Sequence, residues 1–257
     1  MVHLWSALVI LLSCLPMTSG FLIRPSPGCA SKVAVHLAGS GESQKQEEEV
    51  DWNKVLAMQT WPNVKQTLNN LPVFCCANAK GQALQYSIVD INKPGDQTML
   101  PFFFCDVEAA KEELLKAQQE TQLEGLALVP YPLGDVFEAS VQGKAIIVPS
   151  DIALEASGVP IGTPPLGQEV PLFCCLEIMQ ESPEGTAVLP LFMNYDEALQ
   201  AIDEAVANDG GDAKDLQVVG LSLTRAVELL ATVPEKSSFY LIPPASSLKY
   251  ILEVMND

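Results

Sequence analysis

Histidine is nearly absent from this chain. Its 257 residues include two histidines, His3 and His36, and both precede residue 42. The rest of the sequence therefore lacks the imidazole that Ser-His-Asp and Cys-His nucleophilic sites use and that metal sites favour. Because both histidines lie in a segment that we expect to be removed, the sequence predicts a protein that is not an enzyme.

Sequence motifs for cofactors are missing as well. Neither GxGxxG nor GxxxxGKS/T occurs, so no glycine-rich loop for nucleotide phosphates is indicated. No CxxC pair occurs, and adjacent cysteines on a strand point to opposite faces, which makes them poor joint metal ligands. Acidic residues are frequent, but their spacing singles out no pair for acid-base catalysis. We therefore predict no catalytic residue, no metal site and no cofactor.

Basic residues are scarce. All 32 acidic residues lie at or after Glu42, and only 12 of the 14 Lys and Arg residues accompany them. Nucleic-acid binding requires a surface of the opposite sign, so we predict no nucleic-acid partner. A strongly acidic surface suits basic partners, or it simply keeps the protein in solution.

Long apolar runs are absent after the amino terminus. The run Leu4–Leu15 has 12 residues, and as a helix it spans about 18 Å, short of the roughly 30 Å hydrocarbon core. Small residues follow it up to Gly20, so residues 1–20 have the organisation of a signal peptide cleaved between Gly20 and Phe21. The mature protein is therefore predicted to have no transmembrane span, although peripheral membrane contact stays open.

Residues 21–41 have the composition of a transit peptide, with two basic residues, no acid and several small or hydroxyl-bearing side chains. A signal peptide joined to such a segment, with Phe21 at the junction, resembles the bipartite presequence of algae with complex plastids of red-algal origin. This resemblance implies entry through the ER and delivery to the plastid. The alternative is an ordinary secreted protein with an irregular amino-terminal segment. An acidic linker, residues 42–50, follows.

A six-residue sequence occurs twice in the chain. LPVFCC at Leu71–Cys76 and VPLFCC at Val170–Cys175 share the proline, the phenylalanine and both cysteines. Three more pairs of segments follow in the same order: Met99–Ala110 with Val188–Leu199, Leu126–Glu138 with Leu216–Glu228, and Ala145–Pro149 with Phe239–Pro243. In the Met99 pair the alignment sets Phe103 over Phe192 and Glu108 over Glu197. Apolar segments that keep their order while the spacers vary indicate a duplicated domain.

The repeat predicts an α+β fold of two pseudo-symmetric halves, 71–156 and 170–257, packed together and joined by a Gly- and Pro-rich connector at 157–169. Each half is predicted to contain short apolar strands that alternate in part with amphipathic helices. The first half is predicted to add a hairpin through Ala83–Ile91, closed by a turn. A helical segment capped by Asp51 is predicted to precede the first half, within a domain of residues 51–257.

Two groups of residues are candidates for function. Cys75, Cys76, Cys174 and Cys175 are either small buried apolar side chains or redox-active thiols. The phenylalanines of the repeated segments either fill the core or line an apolar groove that holds an extended or amphipathic peptide. These phenylalanines are Phe74, Phe102, Phe103, Phe104, Phe173 and Phe192.

The repeated motifs resemble one known family from about Val50 onward. LPVF and VPLF, the two Leu-Pro-x-Phe segments followed by Glu-Ala helices, and the late strands IIVP and YLIP are similar to the family of the 22-kDa subunit of the chloroplast inner-envelope translocon. The resemblance implies a soluble, duplicated α+β fold with apolar grooves on its flanks. Cysteines stand where the family is expected to have aliphatic residues, so a redox-sensitive variant stays open.

The resemblance also implies a function. It indicates a non-enzymatic, chaperone-like import factor of the plastid intermembrane space, with preproteins in transit and envelope translocon subunits as partners. A thiol-based redox sensor or enzyme of the plastid periphery is the alternative. A scaffold subunit that contacts other proteins but not the cargo is a third interpretation.

Overall fold

The structure, a computed structural model, describes residues 21–23, 50–89, 97–120, 123, 125–181, 187–209, 216–232 and 239–256. In chain order the strands in these ranges are β1 (Phe21–Ile23), β2 (Pro72–Ala77), β3 (Gln85–Val89), β4 (Gln97–Phe104), β5 (Ala127–Pro132), β6 (Ile146–Val148), β7 (Pro171–Cys175), β8 (Ile178–Glu181), β9 (Ala187–Phe192), β10 (Val218–Ser222) and β11 (Phe239–Ile242). The helices are α1 (Trp52–Leu56), α2 (Trp61–Leu68), α3 (Val107–Glu120), α4 (Leu133–Val141), α5 (Asp151–Ala156), α6 (Tyr195–Asp209), α7 (Leu223–Thr232) and α8 (Ala245–Asn256). Within the described ranges, no helix is both long enough and apolar enough to cross a bilayer.

The strands form two sheets of the same design. One has the order β3-β4-β2-β5 with β6 against β4, and the other contains β8-β9-β7-β10 with β11 against β9. In each sheet the final strand runs parallel to its neighbour, while the other pairs are antiparallel. Helices occur at matching places between these strands. The predicted α+β fold with two pseudo-symmetric halves is confirmed.

The repeat alignment is correct in three segments and wrong in one. Phe74 pairs with Phe104, and Phe173 pairs with Phe192. Phe192 is therefore the counterpart of Phe104, and not of Phe103 as the alignment predicted. The parallel pairs Phe104↔Val148 and Phe192↔Ile242 give the same answer. Matching prolines produced this one-residue slip, which places every aligned side chain on the opposite face of the strand.

The helices after β4 and β9 begin at equivalent caps. Asp106 Oδ1 accepts hydrogen bonds from the backbone N–H groups of Glu108 and Ala109 at 2.8 and 3.1 Å. Asn194 Oδ1 accepts one from the N–H of Glu197 at 3.2 Å. Each cap satisfies amides that the first turn leaves unpaired, which stabilises a helix by about 1 kcal/mol. The caps equate Ala109 with Glu197, which again corrects the predicted pairing of Glu108 with Glu197.

One inner strand of each sheet is completely buried. All six residues of β2 and all five of β7 are buried, so both faces of these strands are covered. In the first sheet, α3 and α8 cover the face that carries Phe74 and Phe104, with Ile251 of α8 in the same cluster. Burying one such aromatic or branched aliphatic side chain is worth about 1.5–3 kcal/mol.

The chain forms two compact units, whose ends differ from those of the two repeat halves. One compact unit comprises Lys65–Val170 together with α8, and we call it unit 1. The other, unit 2, comprises β1, α1 and Pro171–Ile242. Helix α8 therefore follows β11 of unit 2 in sequence but completes the core of unit 1.

Two strands lie where the sequence predicted none. β8 gives the second sheet a β8–β9 pairing like the predicted β3–β4 hairpin of the first sheet. β1 comes from the transit-like segment and pairs with β8. The turn predicted after Ile91 falls outside the described residues, and so does Gly20 of the predicted cleavage junction.

Candidate functional site

Five of the six candidate phenylalanines are core residues. Phe74 and Phe173 are fully buried, and Phe103, Phe104 and Phe192 are exposed by at most 7%. The ladder brings Phe74 beside Phe104 and Phe173 beside Phe192. Phe103 lies on the opposite face of β4, where its ring contacts Tyr131 edge-on with centroids 5.3 Å apart.

Phe102 is the half-buried member of this set, and it lies on the helix-covered face of the first sheet. Its ring stacks on Tyr86 of β3 with centroids 4.2 Å apart and an interplanar angle of 7°. Other half-buried apolar residues pack on the same core. We call this group the apolar layer of unit 1; it consists of Leu84, Tyr86, Phe102, Leu114, Ile146, Tyr250 and Met255.

Charged groups accompany the apolar layer. Burial raises the pKa of the Tyr86 phenol, and the nearby Cys76 and Glu113 raise it further, so the phenol stays protonated. Lys111 Nζ lies 5.4 Å from the centre of the Tyr250 ring and 2.8 Å from Glu108 Oε1. An apolar surface beside carboxylates has the chemistry to hold an amphipathic segment that carries basic groups.

The candidate cysteines are buried and unbridged, as is Cys105. Cys76 and Cys175 belong to the core clusters of the two units. Burial raises the pKa of Cys75, Cys105 and Cys174 to about 12 each, and that of Cys76 in the same direction. Neutral, buried thiols are poor nucleophiles and poor metal ligands, because both roles require the thiolate.

Cys175 has a carboxylate beside its thiol. Its Sγ donates to Glu177 Oε2 at 3.1 Å. Burial raises the pKa of Cys175 to about 11, and the carboxylate adds to the increase. In the part of the chain that the structure describes, no group of histidine, cysteine or acidic side chains is arranged to hold a metal ion.

The edge of the second sheet is a further candidate surface. β1 pairs antiparallel with β8, with Phe21 opposite Gln180, Leu22 opposite Met179 and Ile23 opposite Ile178. The other side of β8 pairs with β9. β1 also lies beside α6, whose 15 residues include five acids and no base. A stretch of the predicted transit-like segment therefore adds a strand next to an acidic helix.

Sequence reasoning missed Tyr86 and Gln180 for different reasons. Tyr86 lies in the predicted alternating segment. The ring that it contacts, however, depends on the pairing of β3 with β4, which sets Tyr86 opposite Leu100. Residues diagonal to each other across a ladder are within reach of aromatic side chains, which explains the contact with Phe102. Gln180 lies in a strand of four residues that carried no distinct alternation.

The fold is shared with two solved structures. Tic22 from Plasmodium falciparum matches with a TM-score of 0.59 and 15% identity, over 75% of this chain and 97% of that chain. Anabaena Tic22, described as a protein of protein transport, matches with a TM-score of 0.53 and 17% identity, over 75% of this chain and 96% of that chain. No family model and no curated protein matches the sequence. The chain thus has the Tic22 fold.

Proposed function

We propose, from this shared fold, that the chain is a non-enzymatic protein-transport factor that holds preproteins as they cross a plastid envelope. The likeness to a structure described as belonging to protein transport carries the proposal. Envelope translocon subunits are its proposed partners, and the intermembrane space is its proposed compartment.

The apolar layer of unit 1 supports the holding role. It combines half-buried aromatic and aliphatic side chains with a stable core beneath them. Half-buried rings contribute apolar area to a bound segment without first having to be exposed, and such contacts select weakly among sequences. Weak selection suits a factor that meets many different preproteins.

The charge distribution supports the choice of cargo. From residue 42 onward the chain has 32 acidic and 12 basic residues. Transit-like segments are basic and poor in acids, as residues 21–41 of this chain themselves illustrate. Opposite charges raise the rate of encounter and suppress the binding of acidic chains.

The proposed route to the compartment rests on the bipartite presequence. Replacing Phe21 by Ala is expected to abolish plastid import of a fused reporter while entry into the ER persists. Fluorescence microscopy of the reporter in an alga with a complex plastid measures this. Unchanged delivery of the Phe21→Ala fusion would contradict the proposed route.

Photo-crosslinking tests the holding role. p-Benzoylphenylalanine replaces Phe102 in the full chain, and the same probe replaces Met99 in a matched control. Both positions lie on β4, but alternation places them on opposite faces, and Met99 is already 53% exposed. During arrested import into isolated plastids, the probe at Phe102 is expected to capture preproteins and the probe at Met99 is not.

The outcomes of this experiment separate the three interpretations. Equal capture from both positions would mean that contact is unspecific. Capture of translocon subunits alone would indicate a scaffold. If preproteins are captured, replacement of all five cysteines between residues 75 and 175 by Ala or Ser is expected to leave capture intact, whereas a redox-dependent factor would lose it.

A further inference from the structure

We propose that the outer edge of β8 is a strand-addition site for targeting segments of other proteins, and that β1 is the chain's own segment bound to that site. The inference rests on the proposed transport function and names a binding mode for its cargo. The expected partner is an extended, acid-free segment with apolar side chains and a basic residue close by.

The pairing of β1 shows that the β8 edge accepts an added strand. The three residue pairs from Phe21↔Gln180 to Ile23↔Ile178 place β1 antiparallel to β8. Among the described strands, β1 alone lies on that side of β8. Strand addition relies on main-chain hydrogen bonds, so it tolerates many sequences as long as the added segment is extended.

The occupant itself indicates the class of partner. β1 reads Phe-Leu-Ile and is followed by Arg24 in a segment without acids. The neighbouring helix α6 contributes acidic side chains and no basic one, and Asp196, Asp203 and Glu204 are exposed on it. In sequence, an apolar segment with a basic residue close by is opposite in charge to the acidic helix α6, which lies beside β1.

Two features make β1 exchangeable. The ladder has only three residue pairs, so few main-chain hydrogen bonds hold it. Gln180 is 8% exposed, and its side-chain Oε1 has no hydrogen-bond partner in the described part of the chain. A buried acceptor without a partner is costly, so a segment that offers a donor at this position would bind better than β1.

The first sheet provides an internal comparison. Its corresponding end strand, β3, has no strand added to its outer side among the residues that the structure describes. The two sheets share the order of the four equivalent strands but differ at this one position. Removal of residues 21–41 would give β8 the same open edge as β3 and make it available to cargo.

A cleavable full chain tests the proposal. A protease recognition site is inserted in the linker of residues 42–50, and the folded chain is cut and freed of its amino-terminal fragment by gel filtration. Fluorescence anisotropy then measures binding of a labelled synthetic peptide of residues 18–27. The cut chain is expected to bind this peptide, and the uncut chain, whose edge is occupied, to bind it at least about ten-fold more weakly.

Two controls address the binding mode. A peptide with N-methyl groups on the amides of Phe21, Leu22 and Ile23 keeps every side chain but cannot donate to the ladder. Its affinity is expected to fall by at least about ten-fold, which corresponds to roughly one net hydrogen bond. Gln180→Leu removes the unpaired acceptor and is expected to tighten binding of the unmodified peptide; its circular dichroism spectrum shows whether it folds.

Each other outcome overturns the proposal. Equal binding of the two peptides would show that side chains and not strand pairing hold the segment. Dimerisation of the cut chain without peptide binding would assign the edge to a second copy. Absence of peptide binding, with crosslinking from position 102 retained, would remove the β8 site and leave the transport function standing; loss of both would remove both.

Discussion

At the scale of single residues, the cysteines between residues 75 and 175 behave as core side chains. All five are buried and free. Neighbouring cysteines lie on opposite faces of the strand. Cys76 belongs to the core on the helix-covered face, whereas Cys75 lies near Tyr131 on the other face. Burial disfavours the thiolate, so these residues contribute apolar contact to the core.

This burial predicts a loss of stability at alkaline pH. In the unfolded chain thiols ionise from about pH 8.5, whereas burial raises the pKa of Cys75 and Cys174 in the folded chain to about 12. The native state therefore binds more protons than the unfolded state in this window, and the free energy of unfolding decreases as pH rises from about 8.5 toward 12. Urea unfolding at pH 7 and pH 10 measures the decrease.

The matched controls are Cys75→Ala and Cys174→Ala. Each removes one ionising group, so each is expected to show a shallower decrease of stability between the two pH values than the parent chain. The buried tyrosines give a decrease of the same sign and remain in all three proteins. Identical slopes in parent and variants would contradict the assignment to the thiols.

Phe102 and Phe104 of β4 are predicted to differ in their contributions to stability and to preprotein binding. Phe104→Ala empties a buried site and is expected to lower the free energy of unfolding by about 3–5 kcal/mol. Phe102→Ala removes a half-buried ring and its stack on Tyr86, at a smaller cost of about 1–2 kcal/mol. Urea unfolding measures both losses, and preprotein crosslinking from an unchanged position of the apolar layer measures binding.

The expected pattern is that Phe102→Ala loses more binding and Phe104→Ala more stability. Equal effects of the two variants on stability would show that Phe102 is as much a core residue as Phe104. Unchanged binding by Phe102→Ala would exclude the apolar layer as the contact surface.

At the scale of elements, α4 is positioned by a close approach to α2. Asn69 Oδ1 accepts a hydrogen bond from the Asp135 N–H at 3.1 Å, and Lys65 Nζ lies 2.8 Å from Asp135 and 2.6 Å from Glu138. A Cβ atom at Gly134 would overlap Asn69 and the carbonyl oxygen of Lys65. The glycine is thus required by space, because its backbone conformation is one that other residues adopt.

Gly134→Ala is therefore predicted to be destabilising. The methyl group must displace backbone, which typically costs about 1–3 kcal/mol. Gly220→Ala in β10 is the matched control, because no atom lies within 4 Å of the added Cβ and alanine usually improves a strand over glycine. Thermal unfolding of both variants measures the difference; an equal melting temperature would contradict the close approach.

The elements also show what the sequence could and could not predict. Apolar segments flanked by proline predicted the strands β2 and β7. Polar residues at the start of an amphipathic pattern predicted the helices after β4 and β9, because both signals are local in the sequence. Aligning Pro101 with Pro190 gave the wrong register. The helix caps Asp106 and Asn194 are the residues that correspond between the two segments. β1 and β8 were missed because each has four or fewer residues, so it has no local pattern long enough to predict a strand, and its structure depends on pairing with a partner strand.

The candidate site was predictable only in part. Phe102 was named from the sequence, whereas its placement beside Tyr86 depends on a register fixed by pairing over the whole of β3. Tyr250 and Met255 join the apolar layer from α8, far away in sequence. Contacts of this kind depend on tertiary packing, and local periodicity does not encode them.

At the scale of the whole molecule, unit 1 depends on a helix that follows unit 2 in the chain. Ile251 of α8 is 2% exposed within the same core as Phe74. The ring of Tyr250 meets Phe74 edge-on with centroids 5.6 Å apart. In unit 2, Ile202 of α6 is likewise buried, at 5% exposure, in the same core cluster as Cys175.

This arrangement predicts that two Ile→Ala substitutions loosen different sheets. Ile251→Ala is expected to cost about 2–5 kcal/mol and to reduce hydrogen-exchange protection mainly in β2 and β4. Ile202→Ala is expected to cost a similar amount but to reduce protection mainly in β7 and β9. Amide exchange followed by mass spectrometry measures both, and equal loosening of both sheets by either variant would contradict the assignment of α8 to unit 1.

On the proposed import route, the position of α8 sets the order in which unit 1 can fold. A polypeptide that is threaded amino end first through a pore delivers β2, β4 and α3 long before residues 245–256 arrive. Until then the face of β2 that carries Phe74 lacks α8, one of the two helices that cover it in the folded chain, so the core of unit 1 is incomplete. On that route the core of unit 1 is complete only after nearly the whole described chain has crossed.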